Sequence, residues 1–471
     1  MMRSEHRSDD QGGAGRDGRH ARLSLALGVI ICLLAVPVSV RADEPSPQPP
    51  DTAPGMAADA PQQWNFHAQT TVIGQGTPSF RSPYQGENSL NGGGQTRETW
   101  TLTPSLGLRF WRGGEFYINP ELFQGFGISG THGIAGFANG DAQKGGTEIP
   151  EVYLARMFFR QTFGLGGETG KVADDYNQLA GMRDVARITV TAGKFAVTDI
   201  FDDNTYAHDP RVNFKNWSIY TAGAFDYAAD QKGYVSGMVV DFNQKSWAMR
   251  GGYFLEPIHS NANTLDEHYF ERGQYVLEFE KRYSLNAQPG KLRLLGWMSR
   301  ANAGSYRQAL ADPNFDGDLS IDQTHAIRTK YGFVINLEQA ITGDLGVFSR
   351  LSWADGQSET MSFTDIDASI SGGLSLKGTA WGRPKDTVGL AGAINGLSAA
   401  HRDFTAAGGL GVLIGDGRLR YGEECILETF YSWQVRDPLS ITFDYQFITN
   451  PAYNADRGPV SVIGTRLHAQ F

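Results

Sequence analysis

Runs in which every second residue is apolar constrain this chain more than any other feature of its sequence. Between Thr99 and Trp111, the residues Trp100, Leu102, Pro104, Leu106, Leu108 and Phe110 alternate with Thr99, Thr101, Thr103, Ser105, Gly107 and Arg109. An extended strand turns successive side chains to opposite faces, so this spacing separates a greasy face from a wet one. Phe116, Ile118, Pro120 and Leu122 alternate in the same way with Tyr117, Asn119, Glu121 and Phe123. Leu439, Ile441, Phe443, Tyr445 and Phe447 oppose Ser440, Thr442, Asp444 and Gln446. Each run approaches the roughly 9 to 11 residues that cross a bilayer at a tilt. Beyond residue 42 there is no apolar run of the roughly 20 residues that a spanning helix needs, so membrane helices are excluded there.

The alternation predicts strands at 64–73, 96–111, 115–126, 151–163, 186–195, 233–243, 246–256, 273–283, 291–302, 327–339, 344–355, 363–376, 386–396, 422–434, 438–449 and 459–471. A further candidate, 216–229, is decided by connection lengths. Short links alternate with long ones from both ends, as short periplasmic turns alternate with long outer loops in transmembrane barrels. The two ends agree in phase only if 216–229 does not cross. The expected fold is therefore all-β, a closed antiparallel barrel of sixteen strands, because closure leaves no backbone edge facing lipid. Residues 196–232 then form one long outer loop. Its aromatic content predicts that it packs, and the barrel interior is the place for it. The same phase makes 164–185 a long periplasmic turn, with room for a short helix. Glycine, 58 of 471 residues against an average near 7%, suits many turns.

The ends supply addresses. Arg16, Arg19 and Arg22 precede the apolar run Leu23 to Val40, and Val40-Arg41-Ala42 offers small residues where a signal peptidase reads. Residues 1–42 are expected to be a signal peptide, residues 43–63 a disordered periplasmic leader, and residues 64–471 the barrel. Without residues 1–42 the chain has 35 basic and 47 acidic residues, a net charge of −12, which argues against a nucleic-acid partner. Only Cys425 remains, so no intrachain disulfide is expected. The segment Val462 to Phe471 alternates and closes on an aromatic, like the signal by which outer-membrane barrels engage the barrel-assembly machinery.

Several strings are long and ordered enough to carry a resemblance. GGEFYINPELFQGFG (113–127), RQTFGLGGE (160–168), GKFAVTDIFDDNTYAHDPRVNFKNW (193–217), ADPNF (311–315), GGLGVLIGDGRLRYG (408–422) and DYQFITNPAYNADRGPV (444–460) resemble the carbohydrate-selective porin family, the OprB-like porins. The resemblance implies a sixteen-stranded barrel in the bacterial outer membrane, surrounded by lipid and lipopolysaccharide. It also implies passive diffusion of monosaccharides such as glucose, with no enzymatic activity and no cofactor.

A sugar offers a ring of hydroxyls and two weakly apolar faces, so a filter for it needs charged forks and aromatic rings. Binding must also stay weak enough for release. The inward faces supply Arg109, Tyr117, Asn119, Glu121, Arg156, Arg160, Arg250, Glu280 and Arg350, and the inserted loop adds Asp202, Asp203, Asn204, Asp209, Arg211 and Trp217. Taken singly, each charge is better explained by a structural pair across the wall. As a set, arginines opposite carboxylates suit hydroxyl recognition better than selection of one ion sign. A general or organic-acid-selective porin is the alternative. Asp312, Asn314 and Asp316 begin like a calcium loop, but Gln323 stands where a bidentate Glu belongs, and a solvated outer loop fits better. Gly164 to Lys171 only superficially resembles a phosphate loop, because Leu165 replaces its first Gly and Val172 its Ser or Thr.

Overall fold

A computed structural model describes residues 61–311 and 319–471. The predicted signal peptide 1–42, nearly all of the leader 43–63 and the weak calcium candidate Asp312, Asn314 and Asp316 lie outside the described residues.

The chain forms β1 (Trp64–Thr77), β2 (Gln95–Trp111), β3 (Gly114–Gly125), β4 (Thr147–Gly164), β5 (Thr169–Val172), β6 (Gly181–Asp184), β7 (Arg187–Phe195), β8 (Val235–Asn243) and β9 (Trp247–Phe254). It continues with β10 (Gly273–Leu285), β11 (Gln288–Ala303), β12 (Ala326–Ala340), β13 (Leu345–Ala354), β14 (Ala368–Gly378), β15 (Arg383–Gly396), β16 (Glu424–Arg436), β17 (Leu439–Thr449) and β18 (Val460–Gln470). All except β5 and β6 join in one closed barrel of sixteen antiparallel strands, sealed where β1 meets β18. Phe471 extends that seam by exchanging backbone hydrogen bonds with Ala68, at 2.8 and 3.1 Å.

The alternation read from sequence is inverted relative to a water-soluble sheet. On β10, Tyr275, Leu277 and Phe279 are exposed, whereas Gln274, Glu278 and Glu280 are buried. On β17, Phe443, Tyr445 and Phe447 point outward while Thr442, Asp444 and Gln446 point inward. Only a lipid surround makes such an exterior stable, and only paired or hydrated groups can fill such an interior. Tight turns close the strands at one end, as at Arg112-Gly113. Gly113 there has φ +79°, and a Cβ on it would collide with the Thr162 carbonyl oxygen, so the turn requires glycine.

The long connection 196–234 runs into the bore, and residues 214–230 are buried without interruption. The connection 126–146 folds over it, an inward course that strand alternation does not predict. Its signal is the uncharged, Gly- and Ala-rich stretch 126–140, which can be buried at little cost. The turn 165–186 also differs from expectation. It holds the antiparallel hairpin β5–β6 rather than a helix, and the tip of that hairpin reaches back into the bore.

Candidate functional site

Pro120 shapes the inner wall beside the inserted loop. Proline has no N–H for the ladder, and the β3–β4 register slips between Asn119 and Pro120. Ala155 becomes the extra residue of a bulge: Pro120 faces Leu154 and Asn119 faces Arg156. The bulge re-phases β4, so that Tyr153 and then Arg156, Phe158 and Arg160 all turn inward, opposite Glu121, Asn119, Tyr117 and Glu115.

The inserted loop crosses the bore and is tied to every side of it. On β4, Arg156 grips Asp199 through two hydrogen bonds of 2.7 Å. On β13, Arg350 donates to the Asp202 carboxylate at 3.0 Å and to the carbonyls of Ile219, Asp202 and Ala207 at 3.1, 3.1 and 2.7 Å. On β12, Asn336 accepts from Asn204 at 2.8 Å, and Glu338 accepts from the Thr205 amide and hydroxyl, both at 2.8 Å. On β18, Arg466 donates to the carbonyls of Pro210, Val212 and Asn213 at 2.7 to 3.0 Å. Charged donors on chain carbonyls are the stronger class of hydrogen bond, so the loop is a fixed shelf and not a flap.

Arg211 projects from this shelf to β2, β3 and the second outer loop. Its guanidinium donates to Asp141 at 2.7 Å, to Glu121 at 3.0 Å and to the Thr103 hydroxyl at 3.1 Å. Burial by itself would lower its pKa, but Asp141 and Glu121 beside it hold it well above the ordinary arginine value. Glu121 also accepts from the hydroxyls of Thr103 at 2.6 Å and Tyr153. Beside this cluster lies a cavity of about 480 Å³. Glu121, Arg156, Arg160, Asp209 and Arg211 line it, and of the residues named from sequence these are the five brought together there.

The other predicted residues stand elsewhere. Asp202, Asn204 and Arg350 are buried anchors of the loop. Trp217 is fully buried, stacked between Phe137 at 5.1 Å and Phe363 at 4.9 Å, so its ring is closed to a solute. Asp203 is half exposed against Arg293 and Lys291. Burial works to raise its pKa, but neighbouring His208, Arg293 and Lys291 hold it low. Arg109 pairs with Glu115 at 2.9 Å near the short-turn end, and Tyr117 lies beneath Arg160, 5.2 Å from ring centre to guanidinium. Asn119 is buried with no hydrogen-bond partner for its amide among the described residues. Arg250 and Glu280 meet at 3.2 Å within the ion-pair network of β9–β11. Asp141, Lys144, Tyr153 and Tyr176 also line the cavity, although no sequence pattern points to them.

The sequence profile of the carbohydrate-selective porins, OprB family, matches residues 87–471. The chain belongs to the carbohydrate-selective porin family. No curated protein sequence matches it. Among solved structures, OprB of Pseudomonas putida at high pH is similar over 87% of this chain and 94% of that one, with a TM-score of 0.66 and 16% identity. The outer-membrane channel DcaP of Acinetobacter baumannii matches over 88% and 99%, with a TM-score of 0.48 and 10% identity. At such identities the likeness to OprB shows the fold alone. Family and barrel together place the chain in the bacterial outer membrane, and its short turns therefore face the periplasm.

Two cavity-lining groups make the charge of this porin's bore depend on pH. Burial lifts Asp141 to about 6, and Arg211 pulls it only part of the way back against the like charge of Glu121. Burial drops Lys144 to about 7, opposed by Asp226, Asp230 and Asp365. Lys144 donates to the Ser362 carbonyl and lies 4.0 Å from the Phe363 ring centre. As pH falls from 8 to 5, Lys144 gains a proton and Asp141 loses its charge, so both changes add positive charge. The chloride-to-potassium permeability ratio, taken from reversal potentials, is expected to rise over that interval. Asp141→Asn and Lys144→Met should each flatten the rise, and a ratio that stays constant in the native channel would contradict the assignment.

Proposed function

We propose that this porin lets monosaccharides such as glucose diffuse passively and selectively into the periplasm. The observation that supports the reading is the set of fixed, unlike charges around the cavity. Asp141, Arg156 and Arg211 are held where the loop meets the wall, so they need little reorganisation to meet a hydroxyl that both donates and accepts. A channel selecting one ion sign would gain nothing from carboxylates set among its arginines. Glu121 is filled by Thr103, Arg211, Tyr153 and Tyr234, whereas each Asp141 oxygen accepts from one partner and keeps a lone pair for a sugar. Because those groups are already paired, binding is weak, as conduction requires.

The solutes are thus small carbohydrates, and the surroundings are outer-membrane lipid and lipopolysaccharide. We assign delivery of the strand-rich chain to the barrel-assembly machinery. Glucose added to a planar bilayer should block single-channel current in a concentration-dependent way. Arg211→Ala should weaken that block about tenfold, the worth of one charged hydrogen bond. No block by any sugar tested would favour a general or organic-acid-selective porin.

A further inference from the structure

Diffusion of sugar, on the reading above, gives the solute one wall, the inserted outer loop. A second wall rises from the periplasmic end. β5 and β6 carry residues 173–180 back into the bore, where the turn Asp175–Gln178 is closed by reciprocal backbone hydrogen bonds of 3.1 and 3.0 Å. Asn177 holds the left-handed conformation, φ +56°, which asparagine tolerates better than most residues.

Four strands fix this tip. Asn65 on β1 donates to the Asp174 carboxylate at 2.8 Å and to the Gln178 carbonyl at 2.9 Å. Ser105 on β2 donates to the Asn177 side chain at 3.1 Å, and Arg160 on β4 donates to the Asn177 carbonyl at 3.0 Å. The Tyr117 hydroxyl on β3 accepts from the Leu179 amide at 3.1 Å. The tip meets the outer loop at Thr103. Arg211 donates to the Thr103 hydroxyl at 3.1 Å, and the Tyr176 hydroxyl donates to the Thr103 carbonyl at 3.4 Å.

Most aromatic rings around the cavity are unavailable. Those lining it are buried, except Tyr153 and Tyr176. Tyr153 already carries the Lys232 ammonium 4.4 Å from its ring centre and packs against Tyr234. Tyr176 is half-buried, and among the described residues no aromatic ring or cation covers its faces.

We propose that Tyr176, held on the inward tip of the periplasmic hairpin, is a specificity-determining residue whose ring stacks against the apolar face of a pyranose in the cavity. Arg156, Arg211 and Asp141, which line the same cavity, take the hydroxyls. A ring platform favours a cyclic sugar, with its flat run of C–H groups, over an open-chain polyol of similar size. This inference rests on the sugar-diffusion reading.

The test compares glucose and sorbitol block of single channels formed by the native chain, Tyr176→Phe, Tyr176→Leu and Tyr176→Ala. Reading inserted channels separates affinity from folding, because a folding defect lowers insertion frequency only. Tyr176→Leu and Tyr176→Ala should weaken glucose block roughly fivefold, the worth of one stacked ring, and bring the glucose-to-sorbitol ratio toward one. Tyr176→Phe should keep both near the native values. Native-like glucose block in Tyr176→Leu would overturn the stacking role while leaving sugar diffusion intact. Loss in Tyr176→Phe as large as in Tyr176→Leu would assign the effect to the hydroxyl and overturn it as well. A native channel that glucose does not block would overturn both readings.

Discussion

Removing Asn204 to Asn213 is expected to raise the single-channel conductance about twofold or more, because conductance follows the cross-section of the narrowest part. The deleted stretch contains His208, Asp209, Pro210 and Arg211, which line the cavity. It also contains the carbonyls that Arg466 holds from β18. Without them the shelf loses its anchorage on β18, and with Arg211 removed Glu121 and Asp141 lose the guanidinium that pairs with them. The barrel wall should survive, since its ladder is made by strands outside the deletion. Sugar discrimination should fall as conductance rises. An unchanged conductance in bilayers would mean that the loop does not narrow the path of ions.

Arg350→Ala should destabilise the fold more than Arg211→Ala or Asp141→Asn. The Arg350 and Asp202 side chains are each only 1% exposed and meet at 3.0 Å. Arg350 also holds three backbone carbonyls of the loop. Removing one member of a buried pair leaves the other charge desolvated and unpaired, a loss of about 3 to 5 kcal/mol. Asn336, which donates to Asp202 at 2.6 Å, covers only part of that loss. Urea unfolding in detergent or bilayer would show the effect as a lower midpoint at unchanged slope. A shift worth less than about 1 kcal/mol, the range of an exposed pair, would show that the loop does not depend on this anchor. The same variant should make open-channel current noisier, since the shelf would sample more positions.

The wall is legible in the sequence because a bilayer imposes one rule on every strand, and Trp100 to Phe110 obey it visibly. The phase of turn lengths is enough to keep 216–229 out of the barrel, and those residues do lie in the inserted loop. What fills the bore is less legible. Charge density exposes the loop around Asp202 and Arg211, yet charge does not distinguish a group that faces a solute from one that anchors the chain. Asp202 and Arg350 hold the shelf, and Trp217 is sealed between Phe137 and Phe363. The bulge at Ala155, set by Pro120, and the inward hairpin tip depend on pairings distant in sequence. Periodicity along one strand carries no information about such pairings. Lys144 and Tyr176 sit on connections with no period, so only the packed structure brings them to the cavity.

A crystal of the protein soaked in glucose would show where a sugar sits in the bore. The expected result is a sugar in the cavity between the inserted loop and the periplasmic hairpin, its hydroxyls within hydrogen-bond reach of Asp141, Arg156 and Arg211. A sugar held only outside the barrel, or a loop displaced into solvent with the bore clear, would contradict it.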